Sequence, residues 1–315
     1  IGWSTITATE TPLQYYVTFS AGTTKCCNGA SARKKILASR WTITDGGVVP
    51  DCGIVLDSNG VTLKYIGTII PSSDPYLIQA DPRGTGKEWF AIVNNYAKNI
   101  ITNYAKGFQS GRSRFTPPGS TTPIPFNNIV TTLMTDMSSM FNDATTFNQT
   151  IASWDVSNVE YMSDMFLKAT AFNQPIGHWD VSKVNNMSAM FSLASSFNQP
   201  IGSWNVSQVR NMSAMFYNAS AFNQPIDSWD VSKVIYMSDM FSLASSFDRP
   251  IGSWNISQAG LMDKMFNNSG LSTANYDATL IGWSTITATE YALQSNVTFS
   301  AGTTKCCNGA SARKK

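Results

Sequence analysis

Six phenylalanines, Phe141, Phe166, Phe191, Phe216, Phe241 and Phe266, stand 25 residues apart. Tryptophans keep the same interval, at Trp154, Trp179, Trp204, Trp229 and Trp254, and methionine pairs from Met137/Met140 to Met262/Met265 keep step with them. The consensus reads M-S-x-M-F-x-x-A-x-x-F-N-Q-P-I-G-S-W-D-V-S-x-V-x-x, and about five and a half copies fill residues 131–275. A unit this short cannot bury its own apolar face, so only stacking of successive copies can give the chain a core. Every full copy offers a Trp, two Val, two Met, two Phe, an Ala and an Ile at fixed columns. At about 1.5–3 kcal/mol for each large apolar side chain buried, several per copy in register offset the entropy of ordering the chain.

Within a copy, Trp179-Asp180-Val181-Ser182-Lys183-Val184 alternates apolar and polar residues, which predicts a short strand. Met187, Met190, Phe191 and Ala194 fall at i, i+3, i+4 and i+7, which predicts a turn or two of helix. Asn-Gln-Pro then ends it, because proline cannot continue a helix. The expected fold is therefore α/β, a leucine-rich-repeat-like solenoid of five to six 25-residue units flanked by small α+β capping and linking elements. Its parallel strands would stack about 4.8 Å apart.

A second repeat works on a longer scale. Residues 1–35 recur as 281–315, an offset of 280, with four differences: Thr11/Tyr291, Pro12/Ala292, Tyr15/Ser295 and Tyr16/Asn296. A chain that begins and ends in the same element reads as a window on a longer tandem protein. The expected organisation is a closing element of a preceding module at 1–53, a linking unit at 54–130, the repeat array at 131–275 and the start of the next closing element at 276–315. The array decays where a cap should begin. Its fifth copy carries Asp248-Arg249 in place of Asn-Gln, then Ala259 for Val and Ser269 for Ala. The stretch Ala274 to Trp283 reads as a capping helix. In the linking unit, 61–66 and 87–93 read as strands, and Asn95–Lys106 as a helix with Tyr96, Ile100 and Tyr104 on one face. Thr116-Pro117-Pro118-Gly119-Ser120 through Pro125 forms a stiff loop into the array.

Polar columns repeat as well. Asn148, Asn173, Asn198 and Asn223, each followed by Gln, predict a buried amide ladder that satisfies backbone groups at the turn. The column Asp155, Asp180, Asn205, Asp230, Asn255 invites a calcium reading. No second acidic column accompanies it and two members are Asn, so hydrogen bonding at a strand edge is the favoured role and no metal is expected.

These residues resemble the BspA-like leucine-rich-repeat surface proteins, and among them the mycoplasma-type lipoprotein repeat. The likeness is carried by Met187-Ser188-Ala189-Met190-Phe191, Ser196-Phe197-Asn198-Gln199 and Trp204-Asn205-Val206-Ser207. It extends over Tyr276-Asp277-Ala278-Thr279-Leu280-Ile281-Gly282-Trp283 and over Trp41-Thr42-Ile43-Thr44-Asp45-Gly46-Gly47 with Cys52. It is weaker across 54–130. The resemblance implies a secreted or surface-displayed protein used for attachment or as surface architecture, with no catalytic residues. It also implies pairing of Cys27 with Cys52. The sequence departs from the pattern in having Cys26-Cys27 where Tyr-Cys is typical. Cys26, and Cys306 with Cys307 in the second copy, are left as cross-link candidates, a vicinal pair or free thiols. Asn-x-Ser/Thr sequons are numerous, at Asn148, Asn186, Asn205, Asn211, Asn218, Asn255, Asn267 and Asn296.

Charge narrows the remaining functions. Charged residues are 13% of the chain and the net charge is +2, so there is no basic face of the kind nucleic acid requires. The array is acidic (−5) and the flanks together basic (+7), which reads first as a solvated surface and second as a basis for head-to-tail contact. No run of apolar residues is long enough for a membrane helix. His178 is the one histidine and stands in a column otherwise filled by Ser153, Ser203, Ser228 and Ser253, so a Ser-His-Asp triad has nothing to build on. No cofactor motif and no catalysis are expected. The expected function is a structural module of a tandem-repeat extracellular fibre or surface layer, joining identical modules head to tail. The alternative is an adhesin that contacts a cell-surface protein or glycan through the positions the core leaves variable: Glu160/Tyr161, Asn185/Asn186, Arg210/Asn211 and Ile235/Tyr236.

Overall fold

The computed structural model describes residues 53–286, the short stretches 18–20 and 42–44, and residue 299. The expected disulfide partners Cys26, Cys27, Cys52, Cys306 and Cys307 lie outside the described residues. Near the N-terminus, β1 (Thr18–Ser20) pairs in parallel with β2 (Thr42–Thr44), Phe19 opposite Ile43.

The linking unit is built from a hairpin and a mixed sheet. β3 (Ile54–Leu56) and β4 (Leu63–Tyr65) are antiparallel. Their turn is held by the Asn59 side chain, whose oxygen accepts from the Val61 and Thr62 amides at 2.9 Å. The sheet has the order β5 (Tyr76–Ala80), β6 (Glu88–Asn94), β7 (Ile129–Leu133), with β6 antiparallel to β5 and parallel to β7. Phe90, Ala91, Ile92 and Val93 of β6 are all buried, as a central strand covered on both faces requires. A parallel pair needs a crossover, and α1 (Lys98–Ala105) with α2 (Gln109–Arg114) supplies it. The expected helical face is shifted. Asn95–Ala97 form a 3-10 turn, and it is Ala97 and Ile101 that are fully buried, while Tyr96 is 77% exposed. Tyr104 keeps its predicted place, stacked on Phe126 at 4.4 Å with its hydroxyl donating to the Ile124 carbonyl.

From Asp136 onward each copy lies on the next. Parallel bridges join Asp136, Tyr161, Asn186, Asn211, Tyr236 and Leu261 in one column. Alternate amides of each coil donate to the coil that follows: Met187 to Asn211 (2.9 Å), Ala189 to Ser213 (2.8 Å), Phe191 to Met215 (2.9 Å) and Leu193 to Tyr217 (2.7 Å). Phenylalanine rings run through the core in two files. In one, Phe166, Phe191 and Phe216 succeed one another at 5.5 and 5.7 Å. In the other, Phe172, Phe197 and Phe222 stand at 6.0 and 6.1 Å, and within a coil Phe191 and Phe197 meet at 3.9 Å. The indole N–H groups of Trp204, Trp229 and Trp254 reach back to the isoleucine carbonyl of the preceding coil at 3.0–3.1 Å. Trp179 is the exception, its buried N–H having no partner.

Inside a coil the local structure differs from the expected strand and helix. Where a helical turn was predicted, Met190 N bonds Met187 O, Ala194 N bonds Phe191 O and Phe197 N bonds Ala194 O, all i to i+3. Within the first two of these turns, at the third residue, Ala189 (φ 51) and Leu193 (φ 61) take the left-handed conformation. The spacing of Met187, Met190, Phe191 and Ala194 fits linked turns as well as a helix, and the turns free alternate amides for the neighbouring coil. Where a strand was predicted, the Asp180 carboxylate accepts from the Ser182 amide at 3.1 Å and Val184 N bonds Val181 O, making a turn. Asp155, Asn205, Asp230 and Asn255 accept from the residue two ahead in the same way. A short side chain that caps its own backbone competes with strand pairing. The column thus shapes a turn rather than a strand edge, and Asn serves as well as Asp.

Left-handed backbone costs a residue with a Cβ about 1–2 kcal/mol, which outweighs glycine's extra entropy of about 0.5–1 kcal/mol. Ala189→Gly is expected to raise stability by about 0.5 kcal/mol, seen as a higher urea midpoint at unchanged slope. A lower midpoint would contradict the left-handed assignment at Ala189.

The amide ladder is present, but at the surface rather than buried: Asn148 is exposed and Asn173, Asn198 and Asn223 are half-buried, because the apolar side chains fill the interior. Asn148 Oδ1 accepts from the Asn173 amide, Asn173 Oδ1 from Asn198 and Asn198 Oδ1 from Asn223, each at 3.0 Å. Gln174, Gln199 and Gln224 donate to the same oxygens. At the far end Asp248 takes the acceptor role for the Ser272 amide and the Asn275 side chain, both at 2.8 Å. Burial pushes the Asp248 carboxyl up, but the Ser272 amide and the Asn275 side chain outweigh it and hold it below the usual range. Lys64 does the same for Asp57 by a side-chain hydrogen bond. A carboxyl held low adds stability that is present above its unfolded pKa of about 4 and is lost as pH falls through its folded value. Asp248→Asn keeps the acceptor oxygen. It should lose little at pH 7 and show a smaller drop in urea midpoint between pH 7 and pH 3 than the parent. An unchanged drop would remove Asp248 from the acid sensitivity.

The stack closes on α3 (Thr273–Ile286), where the capping helix was expected. Trp283 continues the indole file by donating to Ile251 O at 3.0 Å, and Thr279 Oγ1 accepts from the Ile251 amide at 3.1 Å. The helix backbone comes so close to the last coil that a Cβ on Gly282 would stand 2.4 Å from the Gly252 carbonyl oxygen. Beyond the helix, Phe299 pairs in parallel with Met262. Its ring meets Phe266 at 5.8 Å, Trp283 at 5.6 Å and Tyr276 at 6.3 Å.

Candidate interaction face

All eight variable positions named from the sequence fall in one strip. It runs the length of the stack, between the buried file Val159, Val184, Val209, Val234 and the buried file Met162, Met187, Met212, Met237. The backbone of the strip is fixed on both sides. Asn185 N donates to Glu160 O, Arg210 N to Asn185 O and Ile235 N to Arg210 O, each at 2.9 Å. Met162, Met187 and Met212 donate in turn to the carbonyls of Asn186, Asn211 and Tyr236. Such a support holds outward side chains at the coil spacing without constraining their identity.

The side chains divide into two kinds. Asn186 and Asn211 are half-buried, and their Oδ1 atoms accept from Ser188 and Ser213 amides at 3.0 Å, so their acceptors serve the local turn. Tyr161 and Tyr236, in the same column, cap no such turn and stand 45% and 42% exposed. In the neighbouring column Glu160 and Arg210 are exposed, while Asn185 and Ile235 are half-buried. Stepping the repeat one further copy each way adds four residues that the sequence reading left out: Thr135 and Asp136 at one end, Gly260 and Leu261 at the other. Leu261 is 48% exposed. Asp136 is engaged by Lys98 of α1 and by the Ser138 amide, and despite burial its carboxyl is held below the usual range. The strip is thus closed by the linking unit at one end and ends at the other on exposed Leu261, which precedes the Met262 that pairs with Phe299.

This arrangement repeats aromatic and amide side chains at the coil spacing. His178 is not part of it. Its Nε2 meets the Ala152 carbonyl of the preceding coil, where Ser203, Ser228 and Ser253 put their hydroxyls on Gly177, Gly202 and Asp227. It fills a serine's structural place. Among the described residues no group of three or more His, Cys, Asp or Glu could hold a metal ion. No helix among them is long and apolar enough to cross a membrane.

A family model described as "Mycoplasma protein of unknown function, DUF285" matches residues 114–219 and again 199–305. The two matches together cover more than half of the chain, from the entry loop through the stack to the closing segment. No curated protein and no solved structure matches.

Proposed function

The chain belongs to the Mycoplasma DUF285 family, and from that premise we propose that it is a structural module of a tandem-repeat extracellular fibre or surface layer, assembling head to tail. One observation carries this reading. Residues 281–315 repeat 1–35 with four differences, and within the second copy Phe299 pairs with Met262 at the end of the stack. The repeated element therefore packs, through Phe299, at the end of the stack. On this reading the array is a leucine-rich-repeat-like solenoid, each module spans 280 residues, and identical modules follow one another. Cys27 and Cys52 pair within a closing element, and Cys26 is the thiol available to join modules. No cofactor and no reaction belong to this role.

Electron microscopy of the native, unreduced protein tests it. Filaments or a lattice whose repeat matches one module would support the fibre, and single unassociated particles at every concentration would sink it.

A second reading is favoured by the strip itself. Glu160, Tyr161, Asn185, Asn186, Arg210, Asn211, Ile235 and Tyr236 gather on one continuous surface, as an adhesin that contacts a cell-surface protein or glycan would need. Surface binding by the protein that survives alanine at both Tyr161 and Tyr236 would count against this face.

A further inference from the structure

The two ends of the chain give two partial views of one repeated element. At the C-terminal end Phe299 bridges Met262, the next rung of the ladder that runs through Tyr161, Asn186, Asn211 and Tyr236. At the N-terminal end Thr18–Ser20 pairs with Thr42–Thr44, Phe19 opposite Ile43. Val17-Thr18-Phe19-Ser20 and Val297-Thr298-Phe299-Ser300 are identical, as are the fifteen residues after each. Set side by side, the two views give the same phenylalanine a parallel partner each: Met262 for Phe299 and Ile43 for Phe19.

We infer that the end of the stack is a socket for the Val-Thr-Phe-Ser strand, and that the Thr18–Ser20 strand of a second copy of this chain seats in the socket that Phe299 fills. The inference rests on the head-to-tail reading and names the contact that would carry it. The socket is a set of named groups: the Met262 backbone supplies the pairing edge, and Phe266, Tyr276 and Trp283 surround the ring. The chain carries this strand sequence twice. A strand of identical sequence makes the same contacts from either chain, so exchange costs no contact energy and is decided by concentration. The chain's own strand, tethered by a short connection, competes at an effective concentration on the order of millimolar. Removing that competitor should turn association on.

The test uses the full chain with p-benzoylphenylalanine at position 19, in the parent and in Phe299→Ala. Chains are irradiated at matched concentration, interchain products are separated and their peptides mapped. Near-ultraviolet circular dichroism checks that Phe299→Ala leaves the stack folded. The expected result is an interchain link from residue 19 to the segment 262–283, at least about tenfold more abundant in Phe299→Ala at micromolar concentration. Light scattering should show the Phe299→Ala chain associating and the Phe19→Ala/Phe299→Ala chain remaining monomeric. If chains associate but residue 19 links elsewhere, the socket is overturned and the head-to-tail reading stands. If Phe299→Ala shows neither association nor an interchain link, both fall. If it unfolds, the parent chain at millimolar concentration is irradiated instead, and absence of the 262–283 link there overturns the inference.

Discussion

Gly282→Val should cost at least about 3 kcal/mol and lift the last helix off the stack. A Cβ at residue 282 would lie 2.4 Å from the Gly252 carbonyl oxygen and 2.5 Å from its Cα, and both are backbone atoms with nowhere to go. Overpacking alone costs about 1–3 kcal/mol. Displacing the helix adds the exposure of Tyr276, Leu280 and Trp283, now buried, at about 1.5–3 kcal/mol for each one fully uncovered. It also breaks the bonds from Trp283 to Ile251 and from Ile251 to Thr279. Denaturant unfolding gives the cost, and hydrogen exchange at the Ile251 amide shows whether the helix has left. Ile281→Ala, at the exposed neighbour, serves as control and should change stability by no more than about 0.5 kcal/mol. Equal stability of the two variants would refute the close approach.

The second large effect is in the middle. Phe191 is fully buried and touches the rings of Phe166, Phe197, Phe216 and Trp204. Phe191→Ala should cost about 3–5 kcal/mol, the transfer of the ring plus the cavity it leaves. Coils touch only their neighbours, so the loss is local to one interface and weakens the coupling across it. Unfolding should therefore lose cooperativity, with the coils before and after Phe191 exchanging their amides in separate transitions. A loss below about 1 kcal/mol with a single sharp transition would mean that the neighbouring rings close the gap.

Much of this architecture can be read from spacing alone. The register of the files, the amide ladder, the capping helix and the continuity of the variable strip all follow from columns such as Phe166/Phe191/Phe216 and Asn148/Asn173/Asn198. What the spacing could not decide was the path of the chain between columns. Asp180 and Ser182 read as the polar half of an alternation, yet their mutual hydrogen bond bends the chain. Ala189 and Leu193 are ordinary helix formers, and nothing in their type announces left-handed backbone. That conformation comes from the neighbouring coil, which offers the Ser213 and Tyr217 carbonyls to their amides. Tyr96 illustrates the same limit on a smaller scale. One 3-10 turn at Asn95–Ala97 was enough to swing it to the surface and bring Ala97 in. The strip was legible because its residues vary where all else is fixed, and its ends were missed because the linking unit and the last coil are not full copies.

The hydrogen bonds from each coil to the next join the same pairs of columns at every step. The chain meets the same acceptors wherever a coil is removed or inserted, provided whole repeats are exchanged. Recombination between near-identical stretches of the gene would therefore yield longer and shorter proteins that still fold, and length itself becomes a trait that selection can adjust without redesigning any contact.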